Sequence, residues 1–380
     1  MTDDIRIAFV HATINGLGGS NTHLKNLYRD LGKENFKVFI FCASNTEKEL
    51  RDFLIHEGVK KEDFVLIPRW KKWMVIPFIL ELRKLFKDNA INIVHAVHLQ
   101  SDIFGVIAAG LAGIKNVFAL FESKPIPNDT PLVKKILYHI AGKIIKRRFT
   151  KTIAVSTELK DDLVSQGLRP ADNIQVIPLG FEIPKEYKKY QPLFKKLKER
   201  KPLIGSMTRL SKEKGIDCFV AAMPFILKSQ PQARFLITSK GPEEARLKEQ
   251  VELLGLTSKV TFTGWVKDIF STMESIDIFV MPSLREGCPI TLLEALALSR
   301  PVVASKIKSI TDIIDDGENG LLADVADPKE FAEKVIFLCQ NPDKAISLGK
   351  KGCLKVTTRF TTDAEIGNLK KLYLRGCHRN

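Results

Sequence analysis

One feature constrains this chain more than any other: an alternation of short strand-like runs with longer helical stretches, met twice along its length. It opens with IRIAFVHA, HLKNLYRDLGKEN and FKVFIFCA, and begins again with PLIGSMTRL, ARFLITSK, KVTFTGW, IDIFVMPS, RPVVAS and NGLLADV. Parallel neighbours need a long, usually helical crossover, so strand, helix, strand successions of this kind build parallel sheets. Further strands are predicted at Asn92–Ala96, Asn116–Phe121, Thr152–Val155 and Ile174–Pro178. At 380 residues the chain exceeds what one core usually serves. Two doubly wound α/β domains are therefore predicted, over residues 1–184 and 185–361, with the break near residues 181–201. In open parallel sheets ligands gather outside the carboxyl ends of the strands, so the loops after those runs are the places to search.

The sharpest of these loops is MPSLREGCPITLLEALALSRPVVAS, residues 281–305. A strand leads into a loop carrying Glu286, Gly287 and Cys288, and Pro289 suits the first turn of a helix, where its missing N–H costs nothing. The N–H groups around Ile290, Thr291 and Leu292 would then be unpaired and face the loop, which suits an anion such as a diphosphate. Glu294 lies about 7–8 Å further along the helix axis. One carboxylate can thus reach sugar hydroxyls beside the phosphates while the other reaches a ribose. Two glutamates eight apart would by themselves read as one loop charge and one solvated helix charge; the strand, glycine, proline and small-residue helix around them favour the donor site.

Upstream, GSMTRLSKEKGID places Arg209 and Lys214 between a strand and a helix. A departing nucleoside diphosphate develops negative charge, and an arginine fork and a lysine point charge fixed there lower the barrier. No Asp-x-Asp triplet occurs in the chain, so a site without metal or other cofactor is expected. In KVTFTGWVKD, Trp265 and Val266 can pack on a nucleobase edge or belong to the core.

Together these segments resemble the E-x7-E motif (Glu286, Glu294) and the R-x4-K pair (Arg209, Lys214) of the retaining GT-B-fold glycosyltransferases of family 4. The resemblance implies two Rossmann-like domains facing across a cleft, with a last helix, about residues 362–380, packing back on the first domain. It implies transfer of a hexosyl unit from a nucleoside diphosphate sugar to a glycan or lipid-linked hydroxyl in cell-surface polysaccharide or glycolipid synthesis. Glu286 would contact the donor sugar and Glu294 the ribose. A catalytically silent sugar-nucleotide-binding subunit and a sugar-nucleotide epimerase on the same architecture are the rival readings.

In the first half, NGLGGSNTH puts Gly18 and Gly19 between strand and helix, where the backbone can approach a phosphate or sugar; it resembles the Gly-Gly loop of that family. IVHAVHLQSD resembles the strand end carrying acceptor-side histidines. His95 holds the usual position, Val97 stands where a second histidine is common, and His98 is its substitute. VFALFESKP departs most: Glu122 stands where many relatives place a histidine, and it either accepts the acceptor's proton or bonds a sugar hydroxyl.

The net charge of +15 is unevenly placed. Residues 131–151 hold seven Lys or Arg and no acid, interleaved with Leu132, Val133, Ile136, Leu137, Ile140, Ile144 and Ile145 at helical spacing; residues 185–201 read as a basic linker. The first segment either lies on an anionic membrane surface or buries its apolar face on the sheet. Residues 70–87 set Trp70, Trp73 and Phe78 around a cationic face, with Pro77 expected to interrupt any helix. Six cysteines without metal-ligand spacing, no basic leader and no spanning run fit a cytoplasmic protein, peripheral on a membrane at most. Basic charge without aromatic interleaving on a recognised module argues against nucleic acid.

Overall fold

The computed structural model describes residues 5–11, 19–33, 36–43, 48–67, 75–126, 130–145, 148–182, 197 and 202–377. They form two compact units, Met1–Gly180 with Thr362–Asn380, and Phe181–Thr361. The first unit runs β1 (Ile5–His11), α1 (Gly19–Leu31), β2 (Phe36–Ala43), α2 (Lys48–His56), β3 (Phe64–Ile67), α3 (Val75–Asp88), β4 (Ile93–Val97), α4 (His98–Ala112), β5 (Asn116–Phe121), α5 (Leu132–Ile145), β6 (Lys151–Ala154), α6 (Thr157–Ser165) and β7 (Ile174–Val176). Its seven strands are parallel, in the order β3-β2-β1-β4-β5-β6-β7. Every residue of central β4 is buried, which is why it reads as a continuous apolar run instead of an alternation.

Three local features differ from what the sequence predicts. Strand β3 was not among the predicted strands: it is a four-residue edge element next to Pro68, too short to show a period, and is held by β2 in register from Ile40 with Phe64 to Ala43 with Ile67. Pro77 does not interrupt a helix, because α3 opens at Val75 and the proline falls in its first turn, where N–H groups lack intrahelical acceptors. Phe78 is turned inward, edge-on to Phe104 at 5.3 Å, instead of joining a cationic outer face. Trp70, Trp73 and most of the basic linker lie outside the described residues.

Helix α5 is built inside out. Leu132, Val133, Ile136, Leu137, Ile140 and Ile144 are between 50% and 73% exposed, while Ile145 and Gly142 face inward. A Cβ on Gly142 would fall 2.5 Å from the Leu168 side chain, so close packing against α5 uses its smallest residue. The apolar stripe is therefore not buried on the sheet. The neighbouring helices α3 and α4 add exposed Ile76, Leu80, Ile107 and Leu111.

The second unit runs β8 (Leu203–Met207), α7 (Ile216–Ser229), β9 (Arg234–Thr238), α8 (Glu244–Leu253), β10 (Val260–Gly264), α9 (Ile269–Ser275), β11 (Ile278–Met281), α10 (Ile290–Ala297), β12 (Val302–Ser305), α11 (Lys308–Thr311), β13 (Leu321–Ala323), α12 (Pro328–Gln340) and α13 (Pro342–Arg359). Its six parallel strands are ordered β10-β9-β8-β11-β12-β13. Successive strand residues point to opposite faces. Ile204, Phe235, Ile237 and Val280 meet Phe219 of α7 and Phe331 of α12, while Leu203, Leu236, Phe279 and Met281 meet Leu292 and Leu296 of α10.

The last helix, α14 (Thr362–Cys377), belongs to the first unit. Its Tyr373 is fully buried, edge-on to Phe118 at 5.1 Å, and a Cβ on Gly376 would sit 3.1 Å from the Phe118 ring. The second unit closes on itself where the chain enters and leaves it: the Phe181 N–H donates to the Phe360 carbonyl at 3.0 Å, and Phe181 bridges Thr361.

Candidate active site

Each sheet has one place where the strand order turns back, between β1 and β4 in the first unit and between β8 and β11 in the second. Crossovers on either side of such a point leave toward opposite faces, opening a crevice at the carboxyl ends of the two strands. In the second unit the loop after β8 carries Arg209 and Lys214, and the loop after β11 carries Glu286. The sheet's topology thus brings the two sequence motifs to one crevice.

Backbone contacts lock the two loops together. The Leu284 and Arg285 N–H groups both donate to the Glu213 carbonyl, at 2.9 and 3.3 Å. Gly215 adopts φ 59°, and a Cβ there would fall 2.1 Å from the Pro282 carbonyl oxygen, so only glycine permits this approach. Lys214 Nζ then donates to Glu286 Oε2 at 2.7 Å, and the fully buried Ser283 hydroxyl donates to Glu286 Oε1 at 2.6 Å. Glu286 is 7% exposed with both oxygens engaged. Arg209 is exposed and carries no ion pair among the described residues. Burial opposes ionisation of Glu213, but a hydrogen bond from Ser211 at 2.6 Å and the charges of Lys214 and Arg209 outweigh it and hold its carboxyl below the usual range.

Helix α10 starts one residue later than expected, with buried Pro289 as its N-cap. Among the expected unpaired N–H groups, that of Ile290 donates to the Cys288 carbonyl at 3.0 Å and that of Leu292 to the Pro289 carbonyl at 3.0 Å, which leaves Thr291. The anion-facing donors of this turn are therefore fewer than the sequence implied. Cys288 and Ile290 are half-buried against the same core cluster as Val266, and Gly287 is half-buried beside Glu286. Trp265, just past β10, is 67% exposed and outside the core. Glu294 lies one turn into α10; burial pushes its carboxyl up to about 7, and its Oε2 has no hydrogen-bond partner. A buried acceptor without a donor is a place where a ligand hydroxyl would bind.

At the carboxyl end of the first sheet, Glu122 directly follows β5, and its Oε1 lies 2.5 Å from His23 Nδ1. The other ring nitrogen of His23 lies 2.6 Å from Glu365 Oε1. Burial alone would strip the proton from His23, but Glu365 and Glu122 overcome it and push the imidazole up to about 10. His95 has a structural role: fully buried, it stacks on Phe9 at 4.7 Å and bonds Tyr373 through Nδ1, and burial together with nearby His23 and His11 pushes it down to about 3. His98 opens α4, and its side chain, like Gly18, lies outside the described residues; Gly19 opens α1. Ser283, Glu213, His23 and Glu365 were missed by sequence reasoning. The first three lie inside motifs already singled out, whereas nothing in the spacing points to Glu365.

Two parallel-sheet α/β units, the second with the Lys214–Glu286 ion pair at its turning point, have the fold of GT-B glycosyltransferases. Residues 17–184 match the profile of Glycosyltransferase Family 4 and residues 201–341 that of Glycosyl transferases group 1. The chain belongs to this glycosyltransferase family. It is 26% identical over 309 residues to the UDP-Gal:alpha-D-GlcNAc-diphosphoundecaprenol alpha-1,3-galactosyltransferase of Escherichia coli, covering 78% of each chain. It is 25% identical over 356 residues to the capsular polysaccharide biosynthesis glycosyltransferase CapM of Staphylococcus aureus, covering 90% of this chain and 91% of that one. Among solved structures, Anabaena Alr3699/HepE in complex with UDP superposes with a TM-score of 0.81 at 18% identity, covering 97% and 99% of the two chains.

Proposed function

We propose that the protein moves a hexosyl unit from a nucleoside diphosphate sugar to a hydroxyl of a glycan or lipid-linked acceptor in cell-surface polysaccharide or glycolipid synthesis, with retention at the anomeric carbon. The observation that carries this reading is the locked pair of loops holding Lys214 on Glu286 at 2.7 Å, with Arg209 beside them. In this reading the donor diphosphate takes over Lys214 and adds Arg209 and the Thr291 N–H, so charge on the leaving group is met by fixed donors. Glu286 orients the sugar, Glu294 accepts the ribose hydroxyls, and Trp265 with Val266 flanks the base. Gly287, Cys288, Pro289, Ile290 and Leu292 shape the phosphate turn. Gly18 and Gly19 are assigned to donor binding, through backbone approach to a phosphate or sugar, while His98 and Glu122 are assigned to the acceptor side. Arg209 and Lys214 carry the electrostatic work, so turnover is expected to persist in EDTA. Relatives whose names specify alpha linkages, among them a Campylobacter jejuni alpha-1,3-N-acetylgalactosaminyltransferase acting on a diphospho-undecaprenol sugar, support both retention and a lipid-linked acceptor.

The exposed apolar stripe of α5, continued by Lys143 and Arg148, fits the interfacial region of an anionic membrane on its cytoplasmic face. The proposed attachment is peripheral, through this stripe; no helix among the described residues is long and apolar enough to cross a membrane. A thermal-shift panel of UDP-, GDP- and ADP-sugars tests the donor reading: a ligand at about 100 times its dissociation constant adds roughly 2.7 kcal/mol. No shift with any of them would remove the donor site from this crevice.

A further inference from the structure

The acceptor side holds a charge arrangement that the fold alone does not require. His23 comes from α1, Glu122 from the end of β5, and Glu365 from the first turn of α14. Their side chains are 5%, 6% and 4% exposed, and the imidazole lies 2.5 and 2.6 Å from the two carboxylates. A neutral imidazole would turn one bare nitrogen toward a carboxylate oxygen, so both ring nitrogens carry protons and one cation serves two anions. The second oxygen of Glu365 accepts the Gly180 N–H at 2.8 Å, at the last residue before the chain passes into the second unit. Buried ionic clusters are often replaceable by apolar residues without loss of stability, which makes this one weak evidence for a purely structural device. Glu122 places it at the carboxyl end of the sheet, one strand from the turning point between β1 and β4, where open parallel sheets gather their ligands.

We propose that Glu365 is a positioning residue for the transfer step: through His23 it fixes Glu122 and the start of α1 in one geometry on the acceptor side. This rests on the glycosyltransferase reading above. Transfer to the acceptor then depends on Glu365, whereas binding and slow hydrolysis of the donor do not.

The test compares Glu365→Ala, Glu365→Asp and Glu365→Gln with wild type, using UDP-glucose and UDP-galactose with a short-chain polyprenyl diphosphate sugar, and UDP-sugar hydrolysis without acceptor as the second readout. Glutamine keeps its amide oxygen for the Gly180 N–H and turns its NH2 toward His23 Nε2, donating to an imidazole left neutral with its proton on Nδ1 toward Glu122, so its transfer rate should stay within about threefold of wild type. Alanine should lower transfer at least tenfold, and aspartate, one methylene too short to reach both partners, at least fivefold, with hydrolysis within about twofold in all three. Aspartate carries the test if alanine does not fold. Transfer at the wild-type rate in both, or transfer and hydrolysis falling in parallel, would overturn the proposal. Absence of both reactions in wild type, with these donors and with every sugar nucleotide of the thermal-shift panel, would instead overturn the functional reading on which it rests.

Discussion

Replacing Glu294 by glutamine should stabilise the free protein at alkaline pH while weakening nucleotide binding. Burial pushes this carboxyl from 4.5 to about 7. A shift of this size corresponds to ~3 kcal/mol of penalty on the ionised form. The folded state holds the proton more tightly than the unfolded chain does. The group's contribution is therefore fully present below about pH 4.5, is lost as pH rises toward 7, and is flat above. Glutamine has similar shape and no charge at any pH, so Glu294→Gln should exceed wild type by ~3 kcal/mol at pH 8 and by less than ~1 kcal/mol at pH 5. For a domain of this size that is a rise of about 6–12 °C in the melting temperature of the second unit at pH 8. Calorimetric unfolding at the two pH values measures it, and UDP titration measures the accompanying loss of affinity. An equal offset at both pH values, or destabilisation at pH 8, would refute the argument that an unpaired buried carboxylate is held there for a ligand.

Three other outcomes follow from the same geometry. Gly215→Ala drives a methyl into the Pro282 carbonyl at a positive φ, and a loss of about 3 kcal/mol or more is expected in denaturant unfolding. Ser283→Ala removes the 2.6 Å donor on Glu286, so kcat/KM for a sugar nucleotide should fall roughly ten- to hundredfold, as a bond to a charged group is worth ~1.5–3 kcal/mol, while binding of UDP alone stays unchanged. Replacing Leu137 and Ile140 on α5 by glutamate should abolish co-flotation with vesicles of anionic lipid and leave the melting temperature within about 2 °C, because both side chains are exposed; wild-type protein that stays unbound at low salt would refute membrane attachment.

The sequence made the strands and their loops legible because buried parallel strands are continuous apolar runs bounded by turns. Edge strand β3 escaped, since four residues show no period and Pro68 beside them argues for a loop. Periodicity placed α5 but not its orientation: the same stripe suits a sheet or a membrane, and the exposed apolar side chains together with Gly142 against Leu168 show which side faces inward. On the proposed donor side the motifs named Arg209, Lys214, Glu286 and Glu294, while the backbone lock through Glu213 and the Ser283 hydroxyl required coordinates. The departure at Glu122 was visible as a missing histidine. Glu365, which shares His23 with it, was not, because a glutamate in the first turn of a helix reads as a solvated, dipole-stabilised charge and lies 342 residues from His23.

The crevice between β8 and β11 is proposed to drive retaining glycosyl transfer. Proton NMR of the first product formed from a UDP-hexose and a polyprenyl diphosphate sugar reads both parts at once, with wild type and Arg209→Ala side by side. The expected result is an α-anomeric product signal whose rate falls about 100-fold or more in Arg209→Ala. A β-anomeric product, or equal rates in the two proteins, would contradict the account.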